Sequence, residues 1–384
     1  MTELHVDEEA QALLASFRRF LEKEIRPYAR ALGDRTPGRA EALEFLQKLT
    51  PFGIGAMYVP VDEGGYGLSN ILTGRMIEEI CRVAGGLGGM ASLQDGTIGT
   101  FARLAPPHLK ERYLSDLMAG RRAICAAITE PGVGSNPRDV TTRATPTGRG
   151  TLRIIGEKTW ISNAHIADLA IIVCKTSDDP KAPLSQVIVD RNEHGFETNN
   201  LSKLGLGSWP TGQIMLDCEV PDTNVIGIEG AGLAQTLRMF ERARCFVGVI
   251  SCGIAQAALE AAIDYAKERR QWGKSLAGHQ SIQIKIAEAA TDLDAARLLV
   301  YRGLELVDRG ERCDTETSMA KLFATEAGVR ITHRCLEVFG ANGLSPEYPI
   351  ERLFRDARVM TVPDGTSDIQ RLVIGRNLTG ISAF

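Results

Sequence analysis

The chain has 384 residues, 44% of them hydrophobic and 24% charged, with 44 Lys+Arg against 48 Asp+Glu for a formal charge of −4. Those fractions are typical of globular proteins and exclude a disordered or fibrous chain, and the length allows two or three domains with separate cores. The slightly acidic balance offers no basic field for a nucleic-acid backbone.

Apolar residues recur at helical spacing from Val6 to about Ala31 (Leu13, Leu14, Phe17, Phe20, Leu21, Ile25). The same spacing predicts helices over Ala40–Leu49, Ile71–Val83 and His108–Ala119, and the Gly- and Pro-rich stretch Pro51–Ser69 reads as a loop. The first residues mix acids and bases with single apolar positions, unlike a signal peptide. No apolar run reaches the roughly 20 residues of a membrane span, so the expectation is a cytoplasmic protein without a membrane partner.

Between Ala123 and about Gly227 the period shortens. Leu152–Ile155, Ala170–Cys174, Gln186–Val189 and Gln213–Leu216 are short β-branched runs bounded by turn residues, which predicts an antiparallel sheet. From Gly232 the helical signal returns over Leu233–Gln271, Gln280–Asp308 and Thr315–Phe339, with a last helix starting near Ser367. The expected fold class is α+β: a helical N-terminal domain (1–122), a central β domain (123–228) and a C-terminal helical bundle (229–384).

No two of the eight cysteines are separated by only two residues, which predicts buried free thiols. The six histidines show no metal-ligand spacing, and no metal is expected. No phosphate-binding loop of the GxxxxGK type occurs. The run Gly85-Gly86-Leu87-Gly88-Gly89 follows a helical pattern rather than a strand, so it fails as a dinucleotide fingerprint and reads as a flexible helix break.

Two segments point to a ligand. Ala127-Ile128-Thr129-Glu130-Pro131-Gly132-Val133-Gly134-Ser135-Asn136 joins a strand end to a Gly-rich turn, whose amides and hydroxyls suit an anionic or planar ligand; alone it also reads as a plain turn. In Gly156-Glu157-Lys158-Thr159-Trp160-Ile161-Ser162-Asn163-Ala164, Trp160 and Ser162 stand two apart on one strand face. One can shield a flat ring while the other donates a hydrogen bond to it.

Four further segments follow in order: Lys203-Leu204-Gly205 leading to Val220-Pro221-Asp222-Thr223-Asn224; Tyr265-Ala266 with Arg269-Arg270-Gln271-Trp272-Gly273-Lys274 and His279-Gln280; Phe339-Gly340-Ala341-Asn342-Gly343 with Glu347-Tyr348-Pro349 and Arg355-Asp356-Ala357; and Asp364-Gly365-Thr366-Ser367 with Ile369-Gln370. Together the six motifs resemble those of the acyl-CoA dehydrogenase family of flavoproteins, over nearly the whole chain. The resemblance implies a four-helix bundle at the C-terminus, a homotetramer, FAD between the β domain and the bundle, an acyl-CoA substrate and an electron-transfer flavoprotein as acceptor.

Carried over by position, the resemblance has Thr129 and Ser162 hydrogen-bonding the flavin ring, Trp160 packing on it, and Ile128 and Gly134 in the same wall. Arg269 would pair with the diphosphate of a neighbouring subunit's flavin, with Gln271, Trp272, His279 and Gln280 completing that pocket. Glu337, Gly340 and Ala341 would approach the adenine end, and Thr366 and Ser367 would cap a helix facing phosphate. Ser135, Arg244 and Gly365 would contact substrate. Without the resemblance, Arg269 reads as a solvated charge and Thr366-Ser367 as an ordinary helix start.

The family base is a carboxylate, most often Glu directly before Gly-Thr, and here that place holds Asp364. A second branch takes its base from the residue before Arg244, which here is Ala243, while Glu241 reads as the partner of a basic residue. Aspartate is shorter than Glu by one methylene, and a misplacement of about 1 Å costs on the order of 100-fold in rate. Asp95 is therefore a second candidate base; it also reads as a helix cap or exposed turn. Gly207 lacks an Arg frequent in the family, Trp209 adds bulk, and Asn136 replaces the usual Asp. These departures resemble the branch acting on alicyclic thioesters such as cyclohexanecarboxyl-CoA or cyclohex-1-ene-1-carboxyl-CoA. The alternatives are a lyase or oxygen-using reaction on the same scaffold, or a non-catalytic oligomer partner.

Overall fold

The computed structural model describes residues 7–176 and 183–383; Val6, at the head of the first predicted helix, lies outside them. Helix α1 (Glu8–Phe20) starts at Asp7, whose carboxylate accepts from the Ala10 amide, and Glu8 and Glu9 sit in its first turn where the helix dipole favours them. A π-turn over Leu21–Ile25 leads into α2 (Arg26–Leu32), and α3 (Arg39–Leu49) follows. Their apolar stripe, including Phe17, Leu21, Ile25, Phe45 and Leu49, is fully buried. After the Gly-rich loop come α4 (Asn70–Val83), α5 (Gly85–Leu104) and α6 (Pro107–Met118).

The glycine run is not a helix break. The break is at Ala84 (φ −155°), and Gly85–Gly89 form the buried first turns of α5. The glycines are there for space: a Cβ at Gly88 would lie 2.4 Å from Cys81 Sγ, and one at Gly89 would lie 2.3 Å from the Trp209 ring. Helix propensity is given up so that two other elements can approach.

The eight-stranded sheet comprises β1 (Ile124–Ala127), β2 (Arg143–Pro146), β3 (Thr151–Ser162), β4 (Leu169–Lys175), β5 (Leu184–Asp190), β6 (Glu197–Asn200), β7 (Thr211–Pro221) and β8 (Val225–Ile226). Its order is β6-β7-β3-β2-β4-β5-β8, with β1 also pairing β4. The expectation of a purely antiparallel sheet is corrected: β1 and β2 both run parallel to β4. The reason lies in β4 and β5, buried along their whole length. Leu169, Ile171 and Ile188 pack under Phe101, Leu109 and Leu117 of α5 and α6, while Ala170, Ile172 and Cys174 face the core formed with β3 and β7. A strand covered on both faces reads as a continuous apolar run and accepts parallel neighbours.

The C-terminal unit is built on α7 (Gly232–Glu268), 37 residues long, which is followed by a small hairpin of β9 (Arg270–Gln271) and β10 (Lys274–Ser275). Helices α8 (Gln280–Asp308), α9 (Asp314–Phe339), α10 (Ile350–Val359) and α11 (Ser367–Thr379) complete it. Contrary to the hydropathy reading, α7 is long and apolar enough by composition to cross a membrane; 72% of its 18-residue apolar window is buried inside the protein, in the core of the bundle. All eight cysteines are free and buried.

Candidate functional site

Segments 127–136 and 156–164 meet on the β unit. The Thr159 amide donates to the Thr129 carbonyl (2.9 Å), and Lys158 Nζ reaches the Ile128 carbonyl (3.0 Å). Below them Lys158 pairs with Glu130 (2.8 Å), which also accepts from the amides and hydroxyls of Thr141 and Thr142. Burial alone would raise the Glu130 carboxyl; Lys158 and the threonine donors outweigh it and bring it to about 2. Between Lys158 and Ile161 the register of β3 against β7 shifts, and Trp160 takes φ 58° within this bulge. The bulge turns the indole outward: Trp160 is 58% exposed, Ile161 is buried and Ser162 is partly covered on Trp160's side. Ile128 and Thr129 are partly buried, whereas Gly134 and Ser135 are exposed, and neither Gly132 nor Gly134 has any atom within 4 Å of its Cβ position.

A second group gathers Asp364, Gly365 and Arg244. Asp364 (φ 53°) and Gly365 (φ 95°) form a left-handed turn just before α11, whose N-cap Thr366 accepts from the Ile369 amide. Gln370 donates to the carbonyls of both Asp364 and Gly365 (3.0 Å each), and Ser367 donates to Glu326 (2.5 Å). Burial raises the Asp364 carboxyl above its ordinary range, while the charges of Lys321 and Arg244 draw it back. Arg244 is buried and its Nε has no partner among the described residues. Glu241 is not primarily the partner of a base. It faces the Asp314 carboxylate, and burial with this like-charged neighbour pushes it up to about 7, against the pull of Arg244 and Arg238.

Asp95 is neither a cap nor an exposed turn. It sits mid-helix on α5 at 1% exposure, and its Oδ1 accepts from the amides of Gly55 (3.0 Å) and Met57 (3.1 Å). Among the described residues its Oδ2 has no hydrogen-bond partner, and burial raises its carboxyl against the charge of Arg242. Arg242 stacks on Tyr58 and Phe246 and donates to Asn70 (2.6 Å). Arg242 is the charge that acts on Asp95, whereas Lys321 and Arg244 act on Asp364.

The third group lies at the far end of α7. Arg269, Gln271 and Trp272 (92% exposed) project from the hairpin, where His279 contacts the Gln271 carbonyl (3.2 Å). No ion pair engages Arg269 among the described residues. Tyr265 stacks on Phe339 (4.2 Å) and its hydroxyl accepts from Asn342, bringing Gly340 and Ala341 alongside α7. Gln280 is exposed at the start of α8, and Glu337 pairs with Lys285 (2.6 Å).

Two departures noted in the sequence belong to packing. Trp209 is 8% exposed and donates to Asn163 (3.2 Å), so its bulk lies against the α5 glycines. A Cβ at Gly207 would lie 1.9 Å from the Asp34 carbonyl oxygen, which bars any side chain there. Lys321 escaped the sequence reading, although Thr317, Lys321 and Thr325 recur every four residues on an otherwise small and apolar face of α9. That stripe was the available signal.

Three family models match the chain: acyl-CoA dehydrogenase N-terminal domain (residues 7–121), middle domain (125–218) and C-terminal domain (230–379). The chain is 35% identical over 384 residues to an acyl-CoA dehydrogenase of Bacillus subtilis (strain 168), covering 98% of this chain and 100% of that protein. It is 35% identical over 367 residues to a 3-(aryl)acrylate reductase of Clostridium sporogenes, covering 94% and 96%. It is 36% identical over 336 residues to subunit CarC of the caffeyl-CoA reductase-Etf complex of Acetobacterium woodii, covering 86% and 88%. Among solved structures, a glutaryl-coenzyme A dehydrogenase in complex with glutaryl-CoA superposes with a TM-score of 0.92 at 30% identity, covering 99% and 97%. A glutaryl-CoA dehydrogenase from Mycobacterium smegmatis in complex with FADH2 superposes with a TM-score of 0.90 at 26% identity, covering 99% and 96%.

Proposed function

The chain belongs to the acyl-CoA dehydrogenase family, an oxidoreductase lineage acting on CH–CH groups, and from that premise we propose that it oxidises a cyclic or branched acyl-CoA thioester with Asp364 as the base. The residues present suit FAD. Trp160 is held outward by a strained bulge beside Thr129, open glycines follow, and among the described residues Arg269 has no ion-pair partner. Thr129, Ser162 and Trp160 would hold the ring end, with Ile128 and Gly134 in the same wall. Arg269, Gln271, Trp272, His279 and Gln280 would take the diphosphate of a neighbouring subunit in a homotetramer, and Glu337, Gly340 and Ala341 its adenine end. Bound FAD supplies a two-electron acceptor for the hydride that leaves the β carbon.

The single observation that carries the base assignment is the Asp364 turn. Its carboxylate accepts no hydrogen bond among the described residues, is made more basic by burial, and keeps two positive charges nearby. Such a group stays ionised yet is free to take a proton from the carbon next to the thioester carbonyl. Ser135, Gly365 and Arg244 would position the thioester and its CoA portion. The names of the aryl-acrylate and caffeyl-CoA relatives support a ring-bearing acyl group, and the Etf complex supports an electron-transfer flavoprotein as acceptor.

A second reading has one favouring observation. Among the described residues Asp95 Oδ2 is buried without a hydrogen-bond partner, as a carboxylate taking the proton at the far side of a ring in a 1,4-elimination would be. Anaerobic bleaching of the purified flavoprotein by butyryl-, isovaleryl- and cyclohexanecarboxyl-CoA tests both readings. The expected result is fastest bleaching by the cyclic thioester, loss of at least 100-fold in Asp364→Asn and retention in Asp95→Asn; the reverse pattern for the two variants transfers the base to Asp95.

A further inference from the structure

Lys321 lies on α9 with no exposed surface, and its ammonium donates to the carbonyl oxygens of Thr361 (2.7 Å) and Gly365 (2.9 Å). Among the described residues no carboxylate lies within ion-pair distance of it. Burying an ammonium on carbonyls alone is costly, and a methionine of similar length would fill the space without that penalty. Burial pushes the Lys321 amine down to about 8, with Asp364 and Glu326 opposing that shift and Arg244 adding to it. A group kept at such a cost calls for a compensating role.

The role is visible in what Lys321 holds. Gly365 follows Asp364, and both residues occupy left-handed backbone that a non-glycine residue adopts only when its surroundings impose it. Lys321 from α9 and Gln370 from α11 grip this turn from behind: the ammonium takes the Gly365 carbonyl, and the amide takes the carbonyls of Asp364 and Gly365. The close fit leaves no room for error, since a Cβ at Gly365 would lie 2.6 Å from Gln370 Nε2. A lysine bonded directly to the Asp364 carboxylate would occupy its lone pairs and blunt its basicity. Anchored on carbonyls, it acts through its field and leaves both carboxylate oxygens free.

We propose that Lys321 is a positioning residue for the Asp364 base: it fixes the turn that aims the carboxylate and supplies the positive charge that keeps it ionised when substrate excludes water. The inference rests on the reading of Asp364 as base. The other charged groups facing this centre are Arg244, behind it Asp314 and Glu241, and on α9 Glu326, which acts on Lys321, accepts from Ser367 and lies near Arg371; all are untouched by substitution at Lys321.

The test uses the FAD-loaded protein, with the member of the three-thioester panel that bleaches it fastest as probe. Removing the positive neighbour raises the proton affinity of Asp364, so the acid limb of the rate profile moves to higher pH. In Lys321→Met the limb is expected to rise by about one pH unit, with the plateau rate down at least tenfold and KM changed less than twofold. Lys321→Gln, which keeps a donor but no charge, should show the same limb shift with a smaller plateau loss. Gln370→Leu, which loosens the turn without changing charge, should lower the plateau and leave the limb in place. Without substrate, amide exchange over residues 361–369 should quicken in all three variants while that of β3 stays unchanged.

A limb that coincides with the parent's in a folded Lys321 variant, or one that moves equally in Gln370→Leu, overturns the proposal. If Asp364→Asn bleaches at the parent rate, the base assignment itself falls. If Asp364→Asn is inactive and the limb in the Lys321 variants is unmoved, only the role of Lys321 falls.

Discussion

Lys158→Met tests how the loop carrying Ile128 and Thr129 is held. The side chains of Lys158 and Glu130 are 0% and 3% exposed and lie 2.8 Å apart, and the ammonium also holds the carbonyls of Ile128 and Val173. Removing one member of a buried pair costs roughly 3–5 kcal/mol. After loss of the lysine, Glu130 keeps four donors from Thr141 and Thr142 at 2.6–2.9 Å, which places the expected cost near the lower end, about 3 kcal/mol. Glu130→Ala is worse: it leaves a buried ammonium on two carbonyls and unpairs the Thr141 and Thr142 amides, for about 5 kcal/mol.

At about 2.1 cal/mol/K of unfolding entropy per residue, these costs correspond to falls of roughly 4 and 6 °C in Tm for a chain of this length. Differential scanning calorimetry with FAD in excess reads both, and gel filtration reads flavin retention, which should fall as the Ile128 carbonyl loses its anchor. Lys158→Met combined with Glu130→Gln should cost less than the sum of the single changes. Single-variant costs below 1 kcal/mol, or a larger loss for the lysine than for the glutamate, would refute the argument.

Three further outcomes are expected. Gly89→Ala should destabilise by about 2 kcal/mol and shift the Trp209 fluorescence, because its Cβ meets the indole at 2.3 Å; Gly132→Ala, with open space around it, should be near neutral, and similar melting points for the two would contradict the packing account. Asp356 is 4% exposed and accepts from the Leu206 amide, and burial raises its carboxyl from 3.8 to about 6. The folded state therefore binds that proton more tightly than the unfolded chain does, an advantage present below pH 4 and lost as pH rises through 6. Urea unfolding should show the parent losing about 2 kcal/mol relative to Asp356→Asn between pH 4 and pH 7, and a pH-independent gap would refute this. Asp95→Ala should lower stability by about 3 kcal/mol by stranding the Gly55 and Met57 amides beside Arg242, and Asp95→Asn by about half as much; equal melting points would show that those hydrogen bonds carry little.

Much of the architecture was legible because its signals are local. The stripe Leu14, Phe17, Leu21, Ile25 fixes the first helix, and the uninterrupted run over Leu233–Gln271 marks α7. What escaped depends on partners distant in sequence. Gly85–Gly89 look like a break until Cys81 and Trp209 are seen against them, and β4 looks antiparallel until α5 and α6 cover its second face. In the site, motif residues such as Trp160 and Asp364 stand out by type and spacing. Lys321 does not, and Gln370 belongs to a motif that leaves its role unread, since both roles arise only when α9 and α11 bring them behind one turn.

Helix α7 also constrains how this chain can vary in length. Arg244, a third of the way along α7, and Arg269, its C-cap, stand 25 positions apart on an unbroken helix, a strut of about 37 Å at 1.5 Å per residue. Inserting or deleting one residue between them would swing the hairpin by about 100° around the axis and part the two ends from their neighbours together. Length differences among related chains should therefore avoid this strut and collect in exposed connections away from the site, such as residues 309–312 between α8 and α9.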